Sequence, residues 1–181
     1  MDRDVHYGRL KLYGEENEFN ASEHNLLIAQ GNLANTYHML GRLDEELRLR
    51  RDVWLGMLKL HGEEDFRTLI AAQNCAGTLL YLRHHAEAKI LLRRSMAVAR
   101  RVLGDCHHLT IMMRKVYAQT LYQDAGATLN ELREAVTTLE ETERIARRVL
   151  GGPHPVTVNS EDFLRESRAA LLARETPSSD A

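Results

Sequence analysis

The pattern of apolar and polar positions predicts helices along the chain. Residues 86–103 place apolar side chains on one side of a helix of 3.6 residues per turn, and charged side chains mostly on the other. Gly104 follows arginines in the last turn and is predicted to end this helix. Stretches over about 24–40, 67–82 and 109–124 are apolar around more of their circumference, which is typical of helices packed between neighbours.

Two sets of landmarks reveal an internal repeat. A small residue inside each of the more apolar helices recurs as Ala34, Ala76 and Ala118, at two intervals of 42 residues. The period is therefore 42 residues, with six extra residues before Ala34 and five extra after Ala118. The second landmark is a glycine that closes an apolar and basic stretch, and it occurs four times: Gly14, Gly62, Gly104 and Gly151.

The extra residues are expected to lie in connections between helices. The first insertion falls in residues 15–23, which we predict to be an acidic and polar loop. The second lengthens the turn over 124–127, after which Thr128 and Glu131 have the spacing of a capping box that restarts a helix. Solenoids tolerate insertions at such turns.

Composition supports an all-α class and narrows the functions. No proline precedes Pro153 among the 181 residues, so long helices are permitted. The formal charge of −2 gives no field that favours nucleic acid or an anionic membrane, and no apolar run is long enough to span a bilayer. Two isolated cysteines, Cys75 and Cys106, form no disulfide framework, which predicts a reducing, cytoplasmic location.

One motif carries a family resemblance. Residues 150–157 read Leu-Gly-Gly-Pro-His-Pro-Val-Thr, and weaker copies occupy 103–110 and 62–68. Over residues 10–170 the sequence resembles tetratricopeptide (TPR) repeat proteins of the kinesin-light-chain type, which have a 42-residue repeat and the linker Leu-Gly-x-x-His-Pro-x-Thr. The resemblance implies an all-α, right-handed α-solenoid of antiparallel helix pairs.

The domain organisation follows from that repeat. Three positions depart from the family pattern: Glu46 replaces a small residue, Arg50 replaces an aromatic residue or leucine, and Arg83 replaces the turn glycine. The first repeat is therefore expected to be the loosest. We expect a single array over 4–174, made of a half unit over 4–14, repeats over about 24–62, 67–104 and 109–151, a capping helix over about 155–173, and then a disordered tail over 175–181.

The ends of the array differ in polarity. Glu161, Asp162, Arg165, Glu166, Arg168 and Arg174 can make the last helix a polar cap, as repeat arrays require. The amino-terminal end has no such cap. We therefore expect that the chain is a piece of a longer protein or that it self-associates through this end.

The resemblance also implies a binding surface. The first helices of TPR repeats line a concave groove that holds a peptide of a partner protein. Kinesin light chains use a basic groove for acidic, aromatic cargo motifs, and Lys115 is essentially the one basic residue offered here. The function is predicted to be that of a scaffold or adaptor, with an architectural or oligomerisation segment of a larger signalling protein as the alternative. By position, the groove residues are Asn32, Asn35, His38, Gln73, Asn74, Tyr81, Lys115, Gln119 and Tyr122.

Catalysis has no candidate residues in the sequence. There is no phosphate-binding glycine loop, nucleophile elbow or carboxylate pair between apolar residues, so we predict no enzyme activity and no cofactor. Histidines and cysteines are not spaced as metal ligands, and no metal is predicted. His107 and His154 are instead interpreted as motif residues at the turn into the next helix. Arginine pairs, such as Arg147-Arg148, are interpreted as a solvated outer face.

Overall fold

The computed structural model describes the backbone of residues 3–176 and the side chains of residue 18 and residues 20–176. Within these residues the protein has seven α-helices and no strand, so the all-α prediction is confirmed. The chain divides into two compact units, which meet in sequence between Thr68 and Leu69. The helices are α1 (Arg3–Met39), α2 (Leu43–His61), α3 (Phe66–Tyr81), α4 (His85–Leu103), α5 (His108–Tyr122), α6 (Leu129–Leu150) and α7 (Pro155–Glu175).

Helix α1 is longer than the sequence pattern indicated. The expected loop over 15–23 is helical, so that prediction is wrong. No proline interrupts this segment, and its glutamates favour helix. Gly14 costs only about 1 kcal/mol relative to alanine inside a helix, which is too little to end one. The helix expected over 4–14 is therefore continuous with the helix that carries Ala34.

The other landmark glycines end helices as predicted. Gly62, Gly104 and Gly151 have φ of 84°, 86° and 89°, a region that side chains with a Cβ rarely adopt. Each glycine N–H donates a hydrogen bond to the carbonyl four residues earlier, at 3.0–3.1 Å. The helices α2, α4 and α6 thus close in the same way.

The first unit packs α1 against α2. Ala34 is completely buried, and its small side chain allows the two helices to approach closely. Leu27, Leu47 and Met57 fill the remaining space as buried residues. A Cβ at Gly56 would meet the side chain of Leu27 and force it to move, so the two helices approach closely at this point.

Glu46 and Arg50, which both depart from the repeat pattern, pair with each other in this unit. Glu46 is only 2% exposed, at the position where the other repeats have alanine. Its Oε1 accepts a hydrogen bond from Arg50 Nε at 3.4 Å, and its Oε2 lies 2.9 Å from His38 Nδ1. Arg50 also donates from Nη2 to Asn35 Oδ1 at 2.7 Å. The buried charge is thus held by polar partners from both helices.

The second unit is built around α5, which contacts α4, α6 and α7. Eleven of its 15 residues are buried, so it reads as apolar around most of its circumference. Ala76 in α3 and Ala118 in α5 are completely buried, like Ala34 in the first unit. The predicted landmark alanines are therefore positions where no larger side chain fits.

The insertion after α5 is a turn, as expected. Asp124 Oδ1 accepts a hydrogen bond from Gly126 N at 2.9 Å. The predicted capping box is confirmed, because Thr128 Oγ1 accepts from Glu131 N and the Glu131 carboxylate accepts from Thr128 N. Glu131 also pairs with Lys89, and this ion pair is the largest cause that lowers its pKa to about 2.

Helix α7 ends the described chain with an exposed polar side. Arg165 lies eight residues after Thr157, the spacing at which the preceding repeats have their buried alanine. Its side chain is 77% exposed, and it donates to Asp162. The helix continues to Glu175, which accepts from Arg133, so the tail expected from 175 begins no earlier than Thr176. The remaining tail, 177–181, lies outside the described residues.

We predict that Glu46→Gln destabilises the first unit by about 1–3 kcal/mol, because Arg50 then faces a neutral amide in a buried position. Thermal unfolding should show an early transition or a lower Tm. Glu45→Gln is the matched control: Glu45 pairs with Arg42 at the surface, and its loss should cost less than about 1 kcal/mol. Equal effects of the two variants would contradict a structural role for Glu46.

Candidate functional site

Two histidines begin the helices that form the candidate site. His107 and His154 have extended backbone, and the Nδ1 atom of each accepts a hydrogen bond from the amide two residues later, at 3.2 Å and 3.1 Å. Pro155 occupies the first turn of α7, where a missing N–H has no cost. The prediction that these are motif histidines at the turn into the next helix is confirmed.

Lys115 lies where α5 faces α7. It is only 5% exposed, and its ammonium lies 5.2 Å from the ring centroid of Phe163 in α7. Burial lowers its pKa. Among the described side chains, those of residue 18 and residues 20–176, no carboxylate or hydrogen-bond acceptor pairs with it. A buried ammonium without an anion is costly, and the aromatic face supplies only part of the compensation.

The neighbouring residue shows what a compensated buried cation looks like in this fold. Arg114 is 4% exposed, and its guanidinium donates to Asp105 at 2.6 Å and to Glu141 at 2.9 Å. These contacts place two carboxylates around one charge. Lys115 follows directly in the same helix and has none. Lys115 is therefore a buried charge that no carboxylate of the described side chains balances.

Two further residues of the predicted groove lie beside Lys115 on α5. Tyr122 donates from its hydroxyl to Glu166 in α7 at 2.7 Å. Burial, followed by the Glu166 hydrogen bond, raises the pKa of this phenol. Gln119 is half-buried, and Gln123 donates from Nε2 to the Tyr122 hydroxyl at 3.5 Å. Tyr122 therefore remains a neutral hydrogen-bonding group at any ordinary pH.

The predicted residues of α3 are partly accessible. Gln73 and Asn74 are half-buried, and Tyr81 is 66% exposed. Tyr81 and Gln119 line the same cavity of about 510 Å³. The other residues of this cavity, and Phe163 beside Lys115, were not predicted from the sequence. Periodicity selects positions on one face of a helix, and it does not select residues of turns or of the facing helix. The missed cavity residues are Gly77, Leu80, Arg83, His85 and Gln123.

The predicted groove residues of the first unit have partners on α2. Asn35 accepts from Arg50, and His38 lies against Glu46. Asn32 is exposed, and its backbone carbonyl accepts from Thr36 at 3.3 Å. A ligand that used Asn35 or His38 would have to compete with the buried network around Glu46. The strongest candidates thus belong to the second unit.

The arginines of the second helices behave as the sequence indicated. Arg147 pairs with Glu143 four residues earlier at 2.6 Å and with Glu161 in α7. Arg93 donates to the hydroxyl of Tyr117, which in turn donates to Glu134 at 2.7 Å. Burial raises the pKa of Tyr117 to about 12. These ion pairs tie neighbouring helices together.

Other kinds of site find no support among the described residues. No group of three histidines, cysteines or acidic residues within 3–176 could hold a metal ion. Cys75 is buried and Cys106 is exposed. Across the described part of the chain, no helix combines the length and apolarity that crossing a bilayer requires.

Comparison with known proteins agrees with this geometry. The tetratricopeptide repeat profile matches residues 68–108, and the match starts at the motif threonine. Residues 68–108 are a tetratricopeptide repeat. The sequence matches no curated protein.

The fold is that of a TPR solenoid of the kinesin-light-chain type. A structure from Podosopora anserina, described as kinesin light chain nearly identical TPR-like repeats, has a TM-score of 0.72 and 22% identity. That match covers 87% of this chain and 80% of the other. BtubC (BKLC) from P. vanneervenii has a TM-score of 0.62 and 14% identity, covering 83% of this chain and 62% of that one.

We predict that Lys115→Met makes the protein more stable, by about 1 kcal/mol, because an apolar side chain of similar length replaces a buried, uncompensated charge. The folded state holds the Lys115 proton less tightly than the unfolded chain, so the wild type gains stability as pH rises toward the ordinary pKa of 10.5. The gap between the two proteins should therefore narrow at high pH. Chemical denaturation at pH 7 and pH 10 measures both effects, and a less stable variant would contradict the interpretation.

Proposed function

We propose that the α3, α5 and α7 side chains of the second unit bind a segment of a partner protein and that Lys115 pairs with an acidic group of that segment. The observation that carries the proposal is a buried ammonium with no anion of its own. Functional sites are where proteins retain such unfavourable charges. The TPR fold is used generally as a protein-interaction scaffold, which supports a protein ligand over a small molecule.

The polar side chains of α3 and α5 suit a peptide backbone. Gln73, Asn74 and Gln119 are half-buried amides, and each can donate and accept a hydrogen bond. Such side chains bind an extended or helical segment through its main chain, which gives affinity with little demand on sequence. Lys115 adds a single charged contact. We therefore expect one acidic residue at a fixed place in the bound segment, flanked by residues of relaxed identity.

This function requires no catalytic residue. TPR proteins with this fold typically act as non-enzymatic scaffolds, and binding is the whole activity that we propose. We also propose a cytoplasmic location, on the ground that the exposed Cys106 and the buried Cys75 form no disulfide.

A displayed peptide library selected on the purified whole chain tests the proposal. We expect enriched peptides to share an aspartate or glutamate, and we expect Lys115→Met to weaken the best of them about tenfold or more, as the loss of a desolvated charge pair implies. Asn74→Ala should weaken binding of all enriched peptides to a smaller and similar degree. Fluorescence anisotropy of labelled peptides measures each dissociation constant.

A control variant shows whether the loss of any positive charge, and not only that of Lys115, weakens peptide binding. Arg144→Ala removes one positive charge from an exposed position of α6 and should leave peptide affinity within about twofold. Enriched peptides that bind Lys115→Met as tightly as the wild type would remove Lys115 from the site. A library that yields no binder to the wild-type chain would contradict the proposed function.

Self-association through α1 is a second candidate function. Residues 25–41 contain no Asp, Glu, Lys or Arg, although such residues make up 28% of the chain. Leu26, Leu33 and Leu40, spaced seven apart, are 58%, 44% and 65% exposed. A cavity of about 200 Å³ lies beside Leu33 and Leu49, and Glu45, Arg48 and Asp52 also line it. Charge depletion and exposed leucines are features of interfaces between proteins.

We predict that the wild-type chain forms a dimer whose mass falls to that of the monomer in the double variant Leu26→Glu, Leu33→Glu. The new charges would be buried without partners in such an interface. Size-exclusion chromatography with light scattering measures the mass. Ile90→Glu changes an equally exposed apolar residue of α4 and should leave the dimer intact. A wild-type monomer at 100 μM would exclude this function for the isolated chain.

A further inference from the structure

The cavity of about 510 Å³ lies at the carboxyl end of α3 and of α5. Gly77 and Tyr81 of α3 line one part of it, and Gln119 and Gln123 supply amide groups from the other helix and its end. The turn between α3 and α4 completes it with Arg83 and His85. All lining residues belong to the second unit, whose helices are described together.

Arg83 is held in an unfavourable conformation at this cavity. Its φ is 61°, and it is the one non-glycine residue with positive φ among the described residues. In the first repeat, Gly41 has φ of 68° at the corresponding turn. The backbone of this turn therefore requires a left-handed residue, and arginine costs more there than glycine. The side chain is exposed to solvent, and its guanidinium has no ion pair or hydrogen bond among the residues whose side chains are described, 18 and 20–176.

Two amide side chains, those of Gln119 and Gln123, share the cavity with Arg83. The Nδ1 atom of His85 has no hydrogen-bond partner, but it is shut off from solvent and is not open to a ligand in the cavity. No side chain caps the amino terminus of α4, as is also the case for α2. The nearest carboxylates in sequence do not line the cavity: Glu87 lies in the first turn of α4, and Asp124 accepts from Gly126.

We propose that this cavity binds a phosphate group carried by a phosphorylated side chain of the bound partner segment. A guanidinium binds phosphate oxygens in pairs, and the two glutamine amides offer further polar contacts. A phosphate has three terminal oxygens for these groups, whereas a carboxylate has two. The proposal rests on the proposed function for the carrier of the phosphate, and it adds a second, separate contact to the one made by Lys115.

Backbone and side-chain NMR of the labelled chain tests the site with defined probes. The probes are N-acetyl-phosphoserine-N-methylamide, its unphosphorylated form, inorganic phosphate and acetate. We expect saturable shifts of the Arg83 Nε and of the amides of residues 83–87 with the phosphoserine probe, weaker shifts with inorganic phosphate, and none with the unphosphorylated probe. Equal affinity for acetate would overturn the preference for phosphate, and tighter binding of inorganic phosphate would overturn the side-chain carrier.

Two variants separate ligand binding from folding. Arg83→Gly relieves the backbone and removes the guanidinium, so Tm should rise by about 2–4 °C while phosphoserine affinity falls tenfold or more. Gly77→Leu keeps every polar group and adds a side chain where a Cβ meets nothing within 4 Å, so affinity should fall while Tm stays the same or rises, because leucine favours helix more than glycine does. Arg144→Ala is the charge-matched control and should bind like the wild type. Unchanged affinity in Arg83→Gly would overturn the proposal, even where library peptides still bind through Lys115.

Discussion

The close approach of helices at three completely buried alanines is the constraint on which the repeat depends. Ala34, Ala76 and Ala118 are each 0% exposed and are spaced by the repeat period. A larger side chain at such a position would push the packed helices apart, because protein interiors have no spare volume. The insertions before α1's alanine and after α5 leave this spacing unchanged. The first insertion lengthens α1 and the second lengthens a turn, and both lie outside the interval between Ala34 and Ala118.

Buried charged side chains of this protein mostly have partners from neighbouring helices. Arg114 and Glu46 are buried and held by oppositely charged or polar groups from neighbouring helices. Their burial is compatible with a stable fold, although such pairs contribute little net stability. Lys115 is a buried exception with no anionic partner among the described side chains, and Arg83 also has none, although its side chain is exposed to solvent. Both lie in the second unit, on α5 and on the turn after α3, which is why binding is assigned to that unit.

The sequence predicted the repeated parts of the structure well and the unique parts poorly. Period, helix type, the closing glycines and the Thr128 capping box depend on local patterns, and the structure has them. The helical segment over 15–23 was missed because an acidic, polar stretch is compatible with a loop and with an exposed helix. The Glu46 network and the Phe163 contact join residues far apart in sequence, so no local pattern reveals them.

Residues that depart from the repeat pattern say more about a ligand than residues that match it. A residue that fits the pattern is explained by packing and says nothing about a ligand. Glu46 and Arg50 depart together and compensate each other, so they are explained within the fold. Arg83 departs alone: it occupies a left-handed position at a cavity, with no partner for its charge. The unfavourable part of Arg83 is its backbone conformation, because its exposed guanidinium is solvated, and a ligand bound by the guanidinium would account for arginine in place of glycine.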